Sequence, residues 1–278
     1  MKKARYAKKQ NKLLVFVFVL SIIFVIFSLL KIFVWIFDNY KIKKEVSMIE
    51  KEVIITEIQN TEATAEQILV DENEILEDDP YWDLKKIDYL EADFSNLEKT
   101  NDEVVSWISV SNTNINYPIV QHSDNEYYLN HSFNGYKNDA GWVFMDYRNS
   151  VENLGKNTII YAHNRKDGTM FASLEAVLSN NWFENKENYA VRTSTKYENA
   201  LWQVFSVYRI PTTSDYIQTD FLTDKSYDEF LNKIKNRSFF DFKTNVNTKN
   251  KVLTLSTCYN RNDRIVMHAK LIRSQIRN

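Results

Sequence analysis

A single cysteine, Cys258, stands in a chain of 278 residues that also holds four histidines. A thiol attacks a carbonyl carbon as its thiolate, so a cysteine nucleophile needs a neighbouring base or positive charge. In "VLTLSTC" the two-residue period of a strand puts Thr254, Ser256 and Cys258 on one face and Leu253 and Leu255 on the other. Cys258 therefore goes with the polar face, which weakens its reading as a small buried hydrophobe. Six residues on, Arg264 opens the run "RIVMHAKLIR"; its guanidinium is permanently charged and can donate to the oxyanion of an acyl-transfer intermediate. His163 precedes Cys258 by 95 residues, at the end of the apolar run "NTIIYAHN" and the start of a polar loop containing Gly168. That location, a loop held by a rigid element, makes His163 the candidate base. His122 and His131 fall in polar connecting segments and read as surface residues, while His268 alternates with Arg264 and reads as a structural neighbour. The lone cysteine has no intramolecular disulfide partner.

Positioning these groups requires strands. From Val104 onward the chain shows eight runs rich in Val, Ile, Thr and aromatic residues: 104–110, 115–121, 141–147, 157–164, 189–195, 201–210, 251–258 and 264–273. Helices are expected over Tyr81 to Thr100 (one or two), Met170 to Lys186 and Ser226 to Arg237. In the last of these Ser226 is the expected N-cap and Glu229 completes a capping box. Many strands with few helices between them predict a mainly β domain, an antiparallel or mixed barrel, not a doubly wound sheet.

The region before this domain differs in kind. Residues 1–12 carry six Lys or Arg and no acid, and Leu13 to Phe37 form an apolar run in which Lys31 is the one charge. About 20 apolar residues span a bilayer, so 13–37 is expected to be a single transmembrane anchor. The basic residues keep the N-terminus cytoplasmic and place the remainder outside. The run is longer than the core of a cleaved signal peptide, and no small-residue cleavage site follows it. Residues 38–80 hold thirteen Asp or Glu against four Lys and are expected to form an acidic, partly disordered stalk, with a short helix where Ile42, Val46, Ile49 and Val53 recur at helical spacing. The expected divisions are thus 1–12, 13–37, 38–80 and a catalytic domain over 81–278.

Composition excludes several classes. With four glycines in the chain there is no glycine-rich phosphate loop. The outer domain is not basic, which argues against nucleic acid as a partner. No HExxH motif, cysteine pair or EF-hand pattern marks a metal site, and no cofactor is expected.

The anchor, "YAHN" at His163, "TLSTC" at Cys258 and "RIVMHAKL" at Arg264 together resemble a sortase, a membrane-anchored cysteine transpeptidase of Gram-positive bacteria. The likeness extends from about Asp93 to Leu271. It is specifically similar to class B in "WISVSNTNINYPIVQ", "DNEYYLNHSF", "FMDYRN", "NTIIYAHNRKDGTMF" and "YIQTDF". The resemblance implies the sortase β-barrel of about eight strands, with N-terminal helices and an inserted helix before the Cys258 strand. It implies Cys258 as nucleophile, His163 as acid and base, Arg264 at the oxyanion, and Thr219 and Ser256 lining the substrate groove. The implied substrates are secreted proteins with an NPxTN-like, SPxTG or PPxTG sorting motif, cleaved after Thr and joined to a peptidoglycan amine at the cell surface.

One departure stands out. Only Tyr259 to Asp263 separate Cys258 from Arg264, a shorter loop than in many class B enzymes, so Arg261 is a rival for the oxyanion role. Arg264 is favoured because the strand follows it. Two other readings stay open at this stage: an extracytoplasmic cysteine peptidase, although a papain-like enzyme has Cys before His in the chain, and a non-catalytic wall-binding protein.

Overall fold

The protein is described by a computed structural model over residues 2–59, 66–68, 72–258 and 262–277. The stretches 60–65 and 69–71 of the expected stalk, and Arg261, lie outside the described residues. The chain divides into two compact units, Met1–Lys44 and Glu45–Asn278.

Helix α1 runs Lys2–Glu52 without interruption. Its apolar part, from Leu14 to Phe37, exposes nearly every large hydrophobic side chain, and the helix is long and apolar enough to cross a membrane. The last two turns, from Glu45, belong to the second unit, where Ile49 and Val53 are buried.

The second unit is mainly β. Its strands are β1 Ile54–Ile58, β2 Glu66–Ile68, β3 Tyr89–Asp93, β4 Val104–Val110, β5 Asn116–Val120, β6 Phe144–Met145, β7 Asn157–Ala162, β8 Ala190–Thr195, β9 Glu198–Pro211, β10 Val252–Cys258 and β11 Asp263–Ile276. Its helices are α2 Tyr81–Leu84, α3 Leu97–Thr100, α4 Asn180–Phe183 and α5 Asp224–Asn236. The order β10-β7-β6-β5-β4-β8-β9-β11, closed by the β10–β11 pairing, makes a barrel of eight strands. All eight correspond to the strand-like runs read in the sequence. Pairings are antiparallel except β10–β7 and β5–β6. β2 extends the edge of β11 beyond β10.

Three local expectations are corrected. The stretch 81–100 is not continuous helix: two short helices, α2 and α3, flank strand β3, which pairs antiparallel with β1 from Ile54↔Asp93 to Ile58↔Tyr89. Tyr89, Leu90 and Ala92 are buried there, so a partner distant in sequence overrides the local helical stripe. The acidic 38–80 segment supplies that partner, and it supplies β2 as well. Over 170–186 the chain forms a 3-10 helix, Ala172–Leu178, and then α4. Ser179 separates them, accepting from Trp182 N and donating to Ala176 O. Finally, α5 begins earlier than expected. Its cap is Thr223, and Ser226 is the third helical residue that completes the box in place of Glu229.

The buried face of α5, Tyr227, Phe230, Leu231 and Ile234, packs with Phe205, Tyr208, Val252 and Val266 of the barrel wall and with Tyr216 of the β9–α5 connection. Side chains of this size each contribute roughly 1.5–3 kcal/mol on full burial. The helix therefore fixes the connection that carries Tyr216.

Candidate active site

Three neighbouring strands bring the sequence candidates together. β7 and β10 are parallel with Ala162 opposite Thr257, so His163 and Cys258 are the next residues at the same barrel end. β11 runs back antiparallel, and its Arg264 is the register partner of Cys258. Adjacent strands lie about 4.8 Å apart, which puts His163 on one flank of the Cys258 backbone and Arg264 on the other. His163 and Arg264 both line one cleft of about 420 Å³.

Each flank is held. His163 Nε2 donates to the Leu129 carbonyl at 2.8 Å, and Phe171 N donates to the His163 carbonyl at 3.0 Å. Arg264 Nη1 donates to Asp263 O at 3.0 Å. The start of β11 is further secured by an ion pair of 2.7 Å between Arg209 and Asp263.

Ser256 lines the cleft and shares a hydrogen bond of 2.9 Å with the hydroxyl of Tyr216. The polar face read from "TLSTC" is thus a buried polar face: Thr254 and Ser256 are both almost fully enclosed. Thr219 is not among the residues lining this cleft. It is buried, with its hydroxyl donating to Asp220 at 3.0 Å.

The remaining histidines are placed elsewhere. His268 is fully buried, with Nδ1 2.8 Å from the Thr254 hydroxyl and Nε2 2.8 Å from the Tyr208 hydroxyl. Thr254 gives its own hydrogen to Asn157 Oδ1, so His268 donates from Nδ1 and accepts at Nε2. Burial, reinforced by the Arg237 charge, pushes its pKa down to about 3, and the ring is neutral. His122 pairs with Glu103 at 2.6 Å, and His131 bonds the Tyr127 carbonyl at 2.7 Å.

Sequence reasoning did not single out the brace behind the cleft. Asp146, fully buried at the end of β6, accepts from Arg148 Nε at 2.8 Å and Nη2 at 2.7 Å, from the Tyr161 hydroxyl at 2.9 Å and from Asn125 Nδ2 at 2.9 Å. Arg148 Nη2 also donates to Ile217 O at 3.0 Å. Asn125, Tyr161 and Ile217 are all cleft residues. Burial alone raises the Asp146 pKa, but the bonds from Arg148 and Tyr161 more than offset it and hold the carboxyl below its ordinary range. Burial, followed by the Asp146 charge, pushes the Tyr161 phenol up, so it stays protonated and donates. The quoted run "FMDYRN" contains both charged members of this brace.

The arrangement suits acyl transfer: a strand-end cysteine, a histidine on one side, a guanidinium on the other and a groove leading past them. The family model of the sortase domain matches residues 108–272. A sortase B from Staphylococcus aureus (strain NCTC 8325 / PS 47) is 38% identical over 193 residues, which cover 68% of this chain and 78% of that protein. The structure of a Staphylococcus aureus sortase B-substrate complex is similar with a TM-score of 0.60 and 40% identity, covering 64% of this chain and 84% of the other. A sortase B complexed with triglycine gives a TM-score of 0.61 at 40% identity, over 64% and 85%.

Proposed function

The chain belongs to the sortase family, in its class B, and from that premise we propose that it joins secreted proteins to the cell wall from a membrane anchor. In this reading residues 1–12 are cytoplasmic, 13–37 cross the membrane, and the acidic 38–80 segment leads to a catalytic domain over 81–278 on the outer surface of a Gram-positive cell.

The substrate is a C-terminal sorting motif, NPxTN-like or of the SPxTG or PPxTG kind. The Cys258 thiolate attacks the carbonyl carbon of its Thr, and Arg264 donates hydrogen bonds to the oxyanion. His163 gives a proton to the leaving amine as the peptide bond breaks, leaving a thioester. A peptidoglycan amine then attacks the thioester, His163 takes its proton, and a new amide releases the thiolate. Tyr216 and Ser256 form part of the groove wall.

The observation that carries this reading is the order of three strands: β7 ends before His163, β10 ends at Cys258, and β11 sets Arg264 opposite Cys258, with His163 and Arg264 beside one cleft. The known complexes of sortase B with a substrate and with triglycine support a peptide donor and an amine acceptor.

The test uses the full chain in detergent with NPxTN, SPxTG and PPxTG peptides, with and without triglycine. A thioester on Cys258 and a triglycine-linked product are expected by mass spectrometry. If neither forms with any peptide, the transpeptidase reading fails. Cleavage that never yields the amide with triglycine identifies a peptidase.

A further inference from the structure

A glycine lies close against the contact that holds His163. A carbonyl oxygen only accepts, so the 2.8 Å contact with Leu129 O puts a hydrogen on Nε2 whether the ring is charged or neutral. A neutral His163 therefore keeps its lone pair on Nδ1. Leu129 closes a one-turn 3-10 helix, Tyr127–Leu129, whose start is fixed by Asp124 Oδ1 accepting from Glu126 N and Tyr127 N. Tyr128 O in the same turn accepts from Trp142 N at 2.9 Å.

Gly141, the residue before Trp142, sits against this assembly with φ +58°. A Cβ placed on it lies 2.5 Å from Tyr128 O, 2.9 Å from Leu129 O and 3.0 Å from His163 Cδ2. Two of these neighbours are backbone atoms and the third is the histidine ring, so no flexible side-chain end can swing aside. Gly168 isolates the effect of crowding. It has φ +83°, the same left-handed backbone, but no atom lies within 4 Å of its Cβ position. The conformational demand is common to both glycines, whereas contact with the histidine and its carbonyl partner belongs to Gly141.

We propose that Gly141 is a positioning residue for His163: its missing side chain lets the Leu129 carbonyl cap Nε2, which fixes the ring tautomer and dedicates Nδ1 to proton exchange with the leaving and incoming amines. The kinetic part of this inference rests on the acyl-transfer reading above; the tautomer does not.

The experiment uses the full chain in detergent, labelled with 15N at its four histidines, with a His163→Asn variant to assign the signal. Long-range 1H–15N spectra of the wild type should show neutral His163 protonated at Nε2. Gly141→Ala should mix the tautomers and lower kcat about tenfold or more with KM changed less than about twofold, the signature of a contact used in the chemical step. Gly168→Ala should keep the wild-type tautomer and stay within about twofold in both constants. Asparagine tolerates positive φ better than alanine yet carries the same Cβ, so Gly141→Asn should reproduce the loss of kcat if Gly141→Ala folds poorly. A wild-type His163 protonated at Nδ1, a fully active Gly141→Asn, or a Gly168→Ala as impaired as Gly141→Ala overturns the inference. If the wild type transfers no peptide, the functional reading fails, and the tautomer across the variants still decides the role of Gly141.

Discussion

Cys258 and Arg264 are partners across the β10–β11 ladder, the last pair before the two strands part. On its other side Arg264 pairs with Ile210 of β9, so its backbone is held from both directions while its side chain lines the cleft. A short connection between the strands therefore still places an arginine opposite Cys258, because the ladder register, not the length of the loop, sets its place.

Arg264→Ala should lower kcat by about 10²–10³ with a much smaller change in KM, the size seen when an oxyanion donor is removed. Arg264→Lys should recover little of that loss, since an ammonium cannot reproduce the planar fork. The paired measurement is Arg261→Ala. A large kcat loss there, with Arg264→Ala near wild type, transfers the role to Arg261.

Ser256 and Tyr216 form a cleft wall through their shared hydrogen bond. A hydrogen bond between neutral groups contributes about 0.5–1.5 kcal/mol net. Ser256→Ala and Tyr216→Phe should each raise KM for a sorting peptide by about two- to tenfold, with the double variant below the product of the two. Steady-state kinetics on the four proteins checks this, and full additivity counts against a functional pair.

The Asp146 brace joins stability to binding. Arg148→Ala leaves a fully buried carboxylate without its cation and should destabilise the domain by about 2–4 kcal/mol. It also frees the Ile217 carbonyl and should raise KM. Arg148→Lys should restore little, because the carboxylate is gripped by two guanidinium nitrogens. Urea unfolding followed by tryptophan fluorescence gives the first quantity and peptide kinetics the second.

His268 makes the fold acid-sensitive. Its folded pKa, about 3, lies below the ordinary value of 6.5. Between those two values the unfolded chain binds a proton that the folded chain refuses, so stability falls as the pH drops. The His268 contribution is complete above about pH 6.5 and is lost progressively below it. Unfolding midpoints from about pH 7 to about pH 4 should decline less steeply in His268→Gln than in the wild type, although that variant is less stable at neutral pH. Equal slopes contradict a neutral buried ring.

The barrel was legible because each of its eight strands carries its own local pattern, and the sequence run "TLSTC" announces its cysteine. What escaped depends on partners far apart in the chain. β3 looks helical until β1 pairs with it, and Asp146 looks like one more residue of the strand-like run 141–147 until Tyr161, Asn125 and Arg148 converge on it. The α5 cap lies three residues before the expected Ser226 for a simpler reason: Thr223 and Ser226 are both capping residues, and the local sequence does not rank them. Gly141 carried no signal in its type alone. Its importance arises from the close approach of a backbone carbonyl and a ring contributed by other segments.

β10 is paired along its length, with β7 on one side and β11 on the other, and where β10 ends its cover of β11, β2 takes over at Arg273, Ser274 and Gln275. β10 thus offers an extended peptide no row of open amides and carbonyls to zip onto. A peptide in the cleft would meet side chains such as Leu129, Tyr161, Ile217 and Arg264. The side chains free to meet a peptide there come from outside β10 as well as from it: Tyr216 and Ile217 of the β9–α5 connection and Leu129 of the 3-10 turn border the same cleft.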